Sequence, residues 1–149
     1  MTVRDAIIHY LDTAVLMQLA TVSGEQPWCS TVFFAADNAH DIYWLSMPDA
    51  RHSKELSLND RVAATITWPH QYGQAWQGLQ VEGTVKEVDT DEMEEYFQAY
   101  AERYNAHSRL SLIMSGEDPA RLYRLKPSLF VLYDEQNYPT APRQEWRPN

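Results

Sequence analysis

The chain has only one cysteine, Cys29, among its 149 residues. A single cysteine cannot form an internal disulfide, and it cannot supply the clustered thiolates of a cysteine-rich zinc site. Such cysteine usage is typical of a reducing compartment, so we expect a cytoplasmic protein. Cys29 itself fits a small buried apolar residue better than a nucleophile, because nothing in the sequence indicates an activating partner.

Basic residues are also scarce, with 12 Lys and Arg against 21 Asp and Glu and a formal net charge of −9. Binding to a nucleic-acid backbone needs a basic face, so this composition argues against DNA or RNA as a partner. No apolar run approaches the roughly 18 residues of a membrane span, so we expect no membrane insertion. The five histidines are scattered and no pair has metal-ligand spacing, so we expect no metal site.

What remains is the composition of an ordinary globular protein, with 44% hydrophobic and 22% charged residues. A chain of 149 residues without repeats or obvious linkers fits one domain, which we expect to cover residues 1–149. From about residue 139 the chain has three prolines and little periodicity. We expect this tail to be extended, either disordered or wrapped over a partner subunit.

Short apolar runs separated by turn residues dominate the pattern. They predict strands over residues 15–22, 28–36, 42–46, 62–67, 76–88, 122–125 and 129–133. Helical periodicity predicts helices over residues 3–14, about 50–58, 89–104 and 107–114. Most connections between strands are too short for the crossovers that parallel strands need. The predicted fold class is therefore mainly β with peripheral helices, as a small barrel of six or seven mostly antiparallel strands.

One segment predicts a ligand site, because a strand ending at residue 46 is followed by a turn and a helix. The first turn of that helix carries four cationic or polar side chains, Arg51, His52, Ser53 and Lys54. A helix N-terminus exposes unpaired backbone N–H groups and a partial positive charge, so it suits a phosphate. On a chain of net charge −9, a local cationic spot favours a small anionic ligand over a polyanion. The alternative interpretation is the solvated first turn of a surface helix.

Three pieces of sequence carry a resemblance to a known family, namely Tyr43–Leu56, Asn59–Val62 and Trp76–Val85. Over roughly residues 10–135, strand order and motif placement resemble the pyridoxamine 5′-phosphate oxidase-like, FMN-binding split β-barrel family. The resemblance implies a six- to seven-stranded, mostly antiparallel split β-barrel with FMN as cofactor. It also implies a homodimer with two flavins at the interface.

The resemblance also implies which residues hold the FMN phosphate. The strand hydroxyl falls on Ser46 and the basic pair falls on Arg51 and His52, with Ser53 and Lys54 beside them. The second basic position is commonly lysine in this family. With His52 there, charge compensation of the phosphate is expected to depend on pH, because a histidine is half-protonated near pH 6.5.

The flavin ring is implied to lie along Ser30–Ala35, where Thr31 and Val32 are expected backbone contacts. On the later strand, Gln77 and Gln80 are the candidate contacts of the ring.

Three positions depart from the pattern of the pyridoxamine phosphate oxidases. Ser30 and Ala35 occupy places where those enzymes carry an Arg and a Lys, and Gly78 occupies the place of a flavin-contacting glutamine. We therefore do not expect oxidation of vitamin B6.

These observations lead to the hypothesis of an FMN-binding oxidoreductase that acts on an unidentified small molecule. No catalytic acid or base can be assigned from the sequence. Two alternatives stay open: a non-catalytic carrier or sensor of flavin or haem on the same fold, and a deazaflavin-dependent reductase.

Overall fold

The computed structural model describes residues 1–148 of the chain. Its helices are α1 (Val3–Thr13), α2 (Arg51–Leu58), α3 (Met93–Tyr96), α4 (Gln98–Tyr104) and α5 (Arg109–Ser115). Its strands are β1 (Leu16–Ser23), β2 (Gln26–Phe33), β3 (Ala35–Ala36), β4 (Ile42–Ser46), β5 (Arg61–Ile66), β6 (Gln77–Glu87), β7 (Arg121–Asp134) and β8 (Arg143–Trp146). The predicted helix over 89–104 begins with a 3-10 turn, Thr90–Glu92, and is interrupted only at Phe97 between α3 and α4.

The strands form one antiparallel sheet in the order β2-β1-β5-β6-β7-β4-β3, and β8 pairs with β7. The two ends of this order, β2 and β3, are consecutive in the chain and are joined by Phe34. The sheet therefore curls back on itself, and chain continuity joins its two ends. This confirms the predicted mostly antiparallel split β-barrel, with eight strands among the described residues in place of six or seven.

Phe34 divides the strand that was predicted over residues 28–36. Before Phe34 the chain pairs with β1, and after it the chain pairs with the start of β4. The Phe34 side chain is fully buried and its N–H donates to the carbonyl of Val15 at 3.0 Å, so the chain is fixed where it changes partner. No ladder joins β2 to β4 within residues 1–148, and we call the gap between these two strands the β2–β4 split.

Strand β7 is continuous where the sequence predicted two strands, over 122–125 and 129–133. Proline has no N–H to donate to a ladder, which was the reason for the predicted break at Pro127. Pro127 lies in the interval of β7 between its β4-paired and β8-paired segments, and on the β6 side the register shifts between Glu82 and Gly83. Neither β4 nor β8 pairs with β7 at Pro127, and the register with β6 has a bulge there. The strand can therefore continue through the proline.

The tail after residue 139 packs on the sheet of its own chain. Strand β8 adds to β7, and the Trp146 ring stacks on Phe130 with 5.5 Å between ring centroids and 12° between planes. Sequence periodicity missed β8 because four residues are too few to show an alternation.

Two buried clusters lie on opposite faces of β4. Successive side chains of a strand point to opposite faces, so Trp44 packs inside the barrel while Tyr43 packs outside it with Phe97 and Tyr100. Burying a large apolar side chain stabilises a fold by about 1.5–3 kcal/mol. Strand β4 is thus held on both faces, and it ends at Ser46, where the candidate site begins.

Candidate functional site

The turn that joins β4 to α2 is fixed by its own hydrogen bonds. The Ala50 N–H donates to the Met47 carbonyl at 3.2 Å, and the Ser53 hydroxyl donates to the same carbonyl at 2.7 Å. Ala50 is the N-cap of α2 and offers no side-chain cap, so the helix N-terminus keeps its exposed N–H groups. We call the region of Ser46 to Lys54 the β4–α2 corner. Ser53 is buried and serves this turn.

Ser46 and His52 form a hydrogen-bonded pair across the corner. His52 Nε2 lies 2.8 Å from Ser46 Oγ, and the tautomer of the ring decides which of the two donates. Burial lowers the pKa of His52 below its ordinary value. In the protein without a ligand, this ring is therefore half-protonated below pH 6.5, because burial disfavours the charged imidazolium. The pH dependence of phosphate binding stays a prediction.

Arg51 is held on two sides. Its Nε donates to Glu55 Oε2 at 3.1 Å, and its guanidinium carbon lies 4.1 Å from the centroid of the Trp28 ring. The Nη atoms of Arg51 make no hydrogen bond within residues 1–148. The orientation of Arg51 is thus fixed by protein contacts, while its Nη groups keep their hydrogen-bonding capacity.

The carboxylate that orients Arg51 is itself fixed. Glu55 Oε1 accepts a hydrogen bond from the Thr21 hydroxyl at 2.7 Å, and Thr21 is almost fully buried in β1. The hydrogen bond from Thr21 and then the one from Arg51 lower the pKa of Glu55. Glu55 is therefore ionised at neutral pH. Because Glu55 anchors to β1, the Arg51 guanidinium is tied to the barrel wall through one intermediate side chain.

Lys54 belongs to the same corner but is exposed, and only its backbone forms hydrogen bonds within residues 1–148. Its N–H donates to the Ala50 carbonyl at 3.0 Å, and its carbonyl accepts from the Ser57 hydroxyl at 2.6 Å. The structure thus brings together five of the nine predicted cofactor residues. They are Ser46, Arg51, His52, Ser53 and Lys54.

The other four predicted residues lie elsewhere. Thr31 and Gln80 are exposed on the outer face of the sheet, where cross-strand pairing places them at the two ends of one row with Gln18 and Thr65 between them. Val32 is buried in the barrel interior.

Gln77 donates to the fully buried Asp134 at 3.2 Å and to Gln136 at 3.1 Å, so its amide already serves the protein. No ligand is present to test these four assignments, and they stay predictions.

Two buried polar atoms on the strands that flank the β2–β4 split have no hydrogen-bond partner within residues 1–148. They are Ser30 Oγ on β2 and Trp44 Nε1 on β4. An unsatisfied buried polar group costs about 1–3 kcal/mol, so such groups are expected to meet a partner. Both atoms belong to the strands that flank the split, which favours a polar ligand at this place.

Sequence reasoning missed part of this site. Glu55 could have been found, because it stands four residues after Arg51 on a predicted helix, the spacing of a helical ion pair. Thr21 gave no such signal, since its contact with Glu55 depends on how α2 packs on β1. The contact of Trp28 with Arg51 depends on the same packing.

Two expected absences concern metals and membranes. Within residues 1–148 one acidic group, Asp89, Asp91 and Glu92, brings three carboxylates within 4.8 Å of one another at the surface. Exposed acids cluster commonly without an ion, so the absence of a metal stays a prediction. No helix in the described part of the chain is both long and apolar enough to cross a membrane.

Comparison with known proteins shows the family and the fold. The family model described as pyridoxamine 5′-phosphate oxidase matches residues 3–132. UPF0306 protein PM1958 of Pasteurella multocida is 24% identical over 102 residues, which is 68% of this chain and 68% of that protein.

Solved structures of similar fold include proteins described by two different ligands. HutZ, the heme storage protein from Vibrio cholerae, has a TM-score of 0.66 at 22% identity, over 85% of this chain and 91% of that chain. A FAD-binding protein from Mesorhizobium loti has a TM-score of 0.61 at 20% identity, over 87% and 92% of the two chains. A further structure of this fold is longer, and this chain spans 58% of it.

At these identities the solved structures show a shared fold and not a shared ligand. The family match is stronger evidence, because it covers most of the chain and includes the whole β4–α2 corner. The resemblance inferred from the sequence is therefore confirmed, and the chain belongs to the pyridoxamine 5′-phosphate oxidase family.

Proposed function

We propose that this protein is a flavoprotein that binds FMN, with the phosphate at the β4–α2 corner. The orientation of Arg51 carries the proposal. Glu55 takes its Nε, the Trp28 ring covers one face, and the Nη groups are left to meet a ligand. A guanidinium can give two parallel N–H bonds to phosphate oxygens, and hydrogen bonds to charged groups are each worth about 1.5–3 kcal/mol.

The corner relies on geometry more than on net charge. The ionised Glu55 offsets part of the Arg51 charge, and burial lowers the pKa of His52, which favours the neutral ring. Ser46 and His52 then act as neutral hydrogen-bonding groups, and the N-terminus of α2 adds a partial positive charge. Lys54 contributes at longer range from its exposed position.

The flavin ring is proposed to lie in the β2–β4 split. Ser30 Oγ and Trp44 Nε1 support this position, since both are buried without a partner and a flavin ring offers donors and acceptors. The backbone N–H and C=O groups of successive residues on β2 point alternately toward β1 and away from it. One of the two neighbours Thr31 and Val32 therefore directs its backbone groups toward the split. Bound flavin supplies hydride or electron transfer, while the chain's residues anchor the phosphate and set the polarity around the ring.

The same proposal includes a homodimer joined through the outer face of the sheet. Apolar and small side chains are exposed or half-exposed on this face, at Leu16, Ala20, Cys29, Phe33, Ala63 and Leu129. The Phe33 side chain is 58% exposed, which is unusual for a large apolar residue unless a partner covers it. In such a dimer, Thr31 and Gln80 would face the second copy. A monomeric mass in light scattering at micromolar concentration would overturn the dimer.

The substrate is proposed to be a small molecule other than pyridoxamine phosphate. Ser30 and Ala35 offer no positive charge where a phosphorylated substrate would need one. Ala35 is also buried, with 1% of its surface exposed, so it cannot contact a substrate directly. Cys29 is exposed on β2, so its expected burial is wrong for the single chain. A reducing, cytoplasmic location is proposed from the single cysteine of the sequence.

Arg51→Ala tests the cofactor assignment. Loss of the guanidinium and its hydrogen bonds to the phosphate should weaken FMN binding at least about tenfold, measured by quenching of flavin fluorescence. Arg61→Ala is the matched control, since Arg61 is an exposed cation on β5 outside the corner and should change the dissociation constant by less than about twofold. An unchanged affinity in Arg51→Ala removes the corner from the site.

The visible spectrum of the purified protein separates this proposal from its alternatives. Flavin bands support FMN, a Soret band supports a haem carrier, and a deazaflavin has its own absorption at shorter wavelength. Anaerobic bleaching of bound flavin by a nicotinamide donor favours an enzyme, whereas flavin that no donor reduces favours a carrier or sensor.

A further inference from the structure

A cavity of about 550 Å³ opens beside the outer face of β6 and β7, next to the 3-10 turn and α3. Its lining lies outside the β4–α2 corner and the β2–β4 split, with Leu56 as its contribution from α2. Small-molecule sites commonly have volumes of about 300–1,000 Å³. The cavity is therefore large enough for a metabolite, and the proposed flavin site does not use it.

Three cations line this cavity because of the register between two strands. Lys86 on β6 is directly opposite Arg124 on β7, and Thr84 is directly opposite Lys126. Residues two apart on a strand share a face, so Lys86, Arg124 and Lys126 project from the same side of the sheet. All three are among the lining residues.

The placement of Lys86 opposite Arg124 has an electrostatic cost, which the ion pair of Arg124 with Asp41 offsets in part. Like charges directly opposite each other on neighbouring strands destabilise a sheet, and Lys86 and Arg124 are such a pair. The chain has 12 Lys and Arg and a net charge of −9, yet three of the twelve line one cavity. An anionic ligand would offset this repulsion.

Arg124, one of the lining residues, is fixed by its own contacts. Its Nε and Nη2 both lie 2.7 Å from Asp41 Oδ2, and its guanidinium carbon is 4.1 Å from the centroid of the Tyr96 ring. Asp41 therefore neutralises one of the three cations. The orientation of Arg124 is set before any ligand arrives.

The positive charges of the two lysines are only weakly compensated by neighbouring acids. Lys86 lies 3.8 Å from Asp89, but both side chains are largely exposed, so this ion pair is weak. Lys126 has no ion pair within residues 1–148. Because these side chains are flexible as well as charged, they can converge on an anion of more than one shape.

Acidic residues also line the cavity and constrain the ligand. Glu87 belongs to the opposite face of β6 from Lys86 and pairs with Arg121 at 3.4 Å, so its charge is already engaged. Asp60 and Glu92 remain along the lining. Carboxylates accept hydrogen bonds, which favours a ligand that carries hydroxyl or amino groups besides its anionic group.

The geometry points to a second binding site, for a small hydroxylated organic anion, between the lysine-bearing face of β6 and β7 and the segment that begins α3. Phosphate monoesters and polycarboxylates share this chemistry. The site is independent of the proposed flavin site and does not require that the protein bind FMN.

Glycerol 3-phosphate and citrate are suitable probes, because each combines at least one hydroxyl group with multiple negative charge. Titration of the full chain, followed by two-dimensional amide NMR, is expected to give saturable shifts around Lys86, Arg124 and Lys126 for at least one probe. Binding of one probe alone identifies which anion the site takes, a phosphate or a carboxylate, and either result supports the site.

Lys126→Gln is expected to weaken binding about threefold to fivefold, as for the loss of one exposed charge contact. Arg147→Gln removes the same charge from the exposed end of the described chain and is expected to change affinity by less than about twofold. The inference is overturned if neither probe saturates at millimolar concentration, if shifts are confined to the β4–α2 corner, or if both variants weaken binding equally.

Discussion

Arg51 and Arg124 are held in the same way in two different parts of the molecule. Each donates to one carboxylate, Arg51 to Glu55 at 3.1 Å and Arg124 to Asp41 at 2.7 Å. Each guanidinium carbon also lies 4.1 Å from the centroid of one aromatic ring. A carboxylate and a ring together fix both the position and the plane of a guanidinium.

The two arginines differ in what they connect. Glu55 is four residues from Arg51 on the same helix, and the Arg51 side chain is 46% exposed. Asp41 is 83 residues from Arg124, just before β4, and the Arg124 side chain is 21% exposed. The first contact orients a surface group, and the second ties β7 to the entry of β4. The same set of contacts therefore orients an exposed guanidinium in one place and joins two strands in the other.

The largest expected effect is on stability. Arg124→Ala should lower the free energy of unfolding by about 2–3 kcal/mol, because removing one member of a largely buried ion pair leaves the other unpaired. Arg51→Ala should cost less than about 1 kcal/mol, since exposed helical pairs four residues apart contribute little. Urea unfolding of both variants measures the difference. Equal losses would show that the two arginines play the same structural role.

Glu55→Gln tests whether orientation or charge governs the β4–α2 corner. If charge governed, removing a carboxylate beside a phosphate would tighten FMN binding. We expect the reverse, a weakening of about threefold to tenfold, because the amide cannot accept from Arg51 and from Thr21 as a carboxylate can. Flavin fluorescence titration at two salt concentrations measures this effect. Tighter FMN binding by Glu55→Gln would mean that the net charge of the corner, and not the orientation of Arg51, governs the affinity.

The pH dependence of stability tests the neutral state of His52. Its folded-state pKa is lowered by burial, so the unfolded chain binds more protons as pH falls through the ordinary histidine value of about 6.5. The stability that neutral His52 contributes is present above that pH and is lost below it.

His52→Gln should therefore lose less stability than the parent chain between about pH 7.5 and about pH 5.5. His40, whose pKa is also lowered by burial, is present in both proteins and does not affect the difference. Urea unfolding at a series of pH values measures the two curves, and parallel curves would mean that the His52 ring is not desolvated.

The parts of the fold that were predictable from sequence depend on local signals. The β-branched runs and turn residues predicted the strands, and the contiguous cluster Arg51–Lys54 predicted the corner, because neighbours on one helical turn stay together in any fold. The helix over residues 89–104, which buries Phe97, was predicted from its own periodicity for the same reason. These features do not depend on which strands pair.

The remaining features depend on pairing, which local sequence does not encode. The division of β2 from β3 at Phe34 arises where the chain changes its partner strand. The passage of β7 through Pro127 requires a bulge at Ser128, which the register with β6 skips, and a gap between the β4-paired and β8-paired segments of β7. Thr31 and Gln80 were assigned to the flavin ring by resemblance, and it is the register of four strands that places their side chains at the two ends of one row on the outer face.

The smallest expected effect concerns Lys54, which has the same formal charge as Arg51 and lies three residues from it. Its side chain is exposed and has no ion pair in the described structure, so nothing fixes its position relative to a ligand. Lys54→Gln should weaken FMN binding by less than about twofold, as for an unconstrained surface charge. The measurement is the same fluorescence titration as for Arg51→Ala, at matched ionic strength. A loss as large as that of Arg51→Ala would mean that charge near the N-terminus of α2 is sufficient, and that the contacts of Arg51 with Glu55 and Trp28 do not set the affinity.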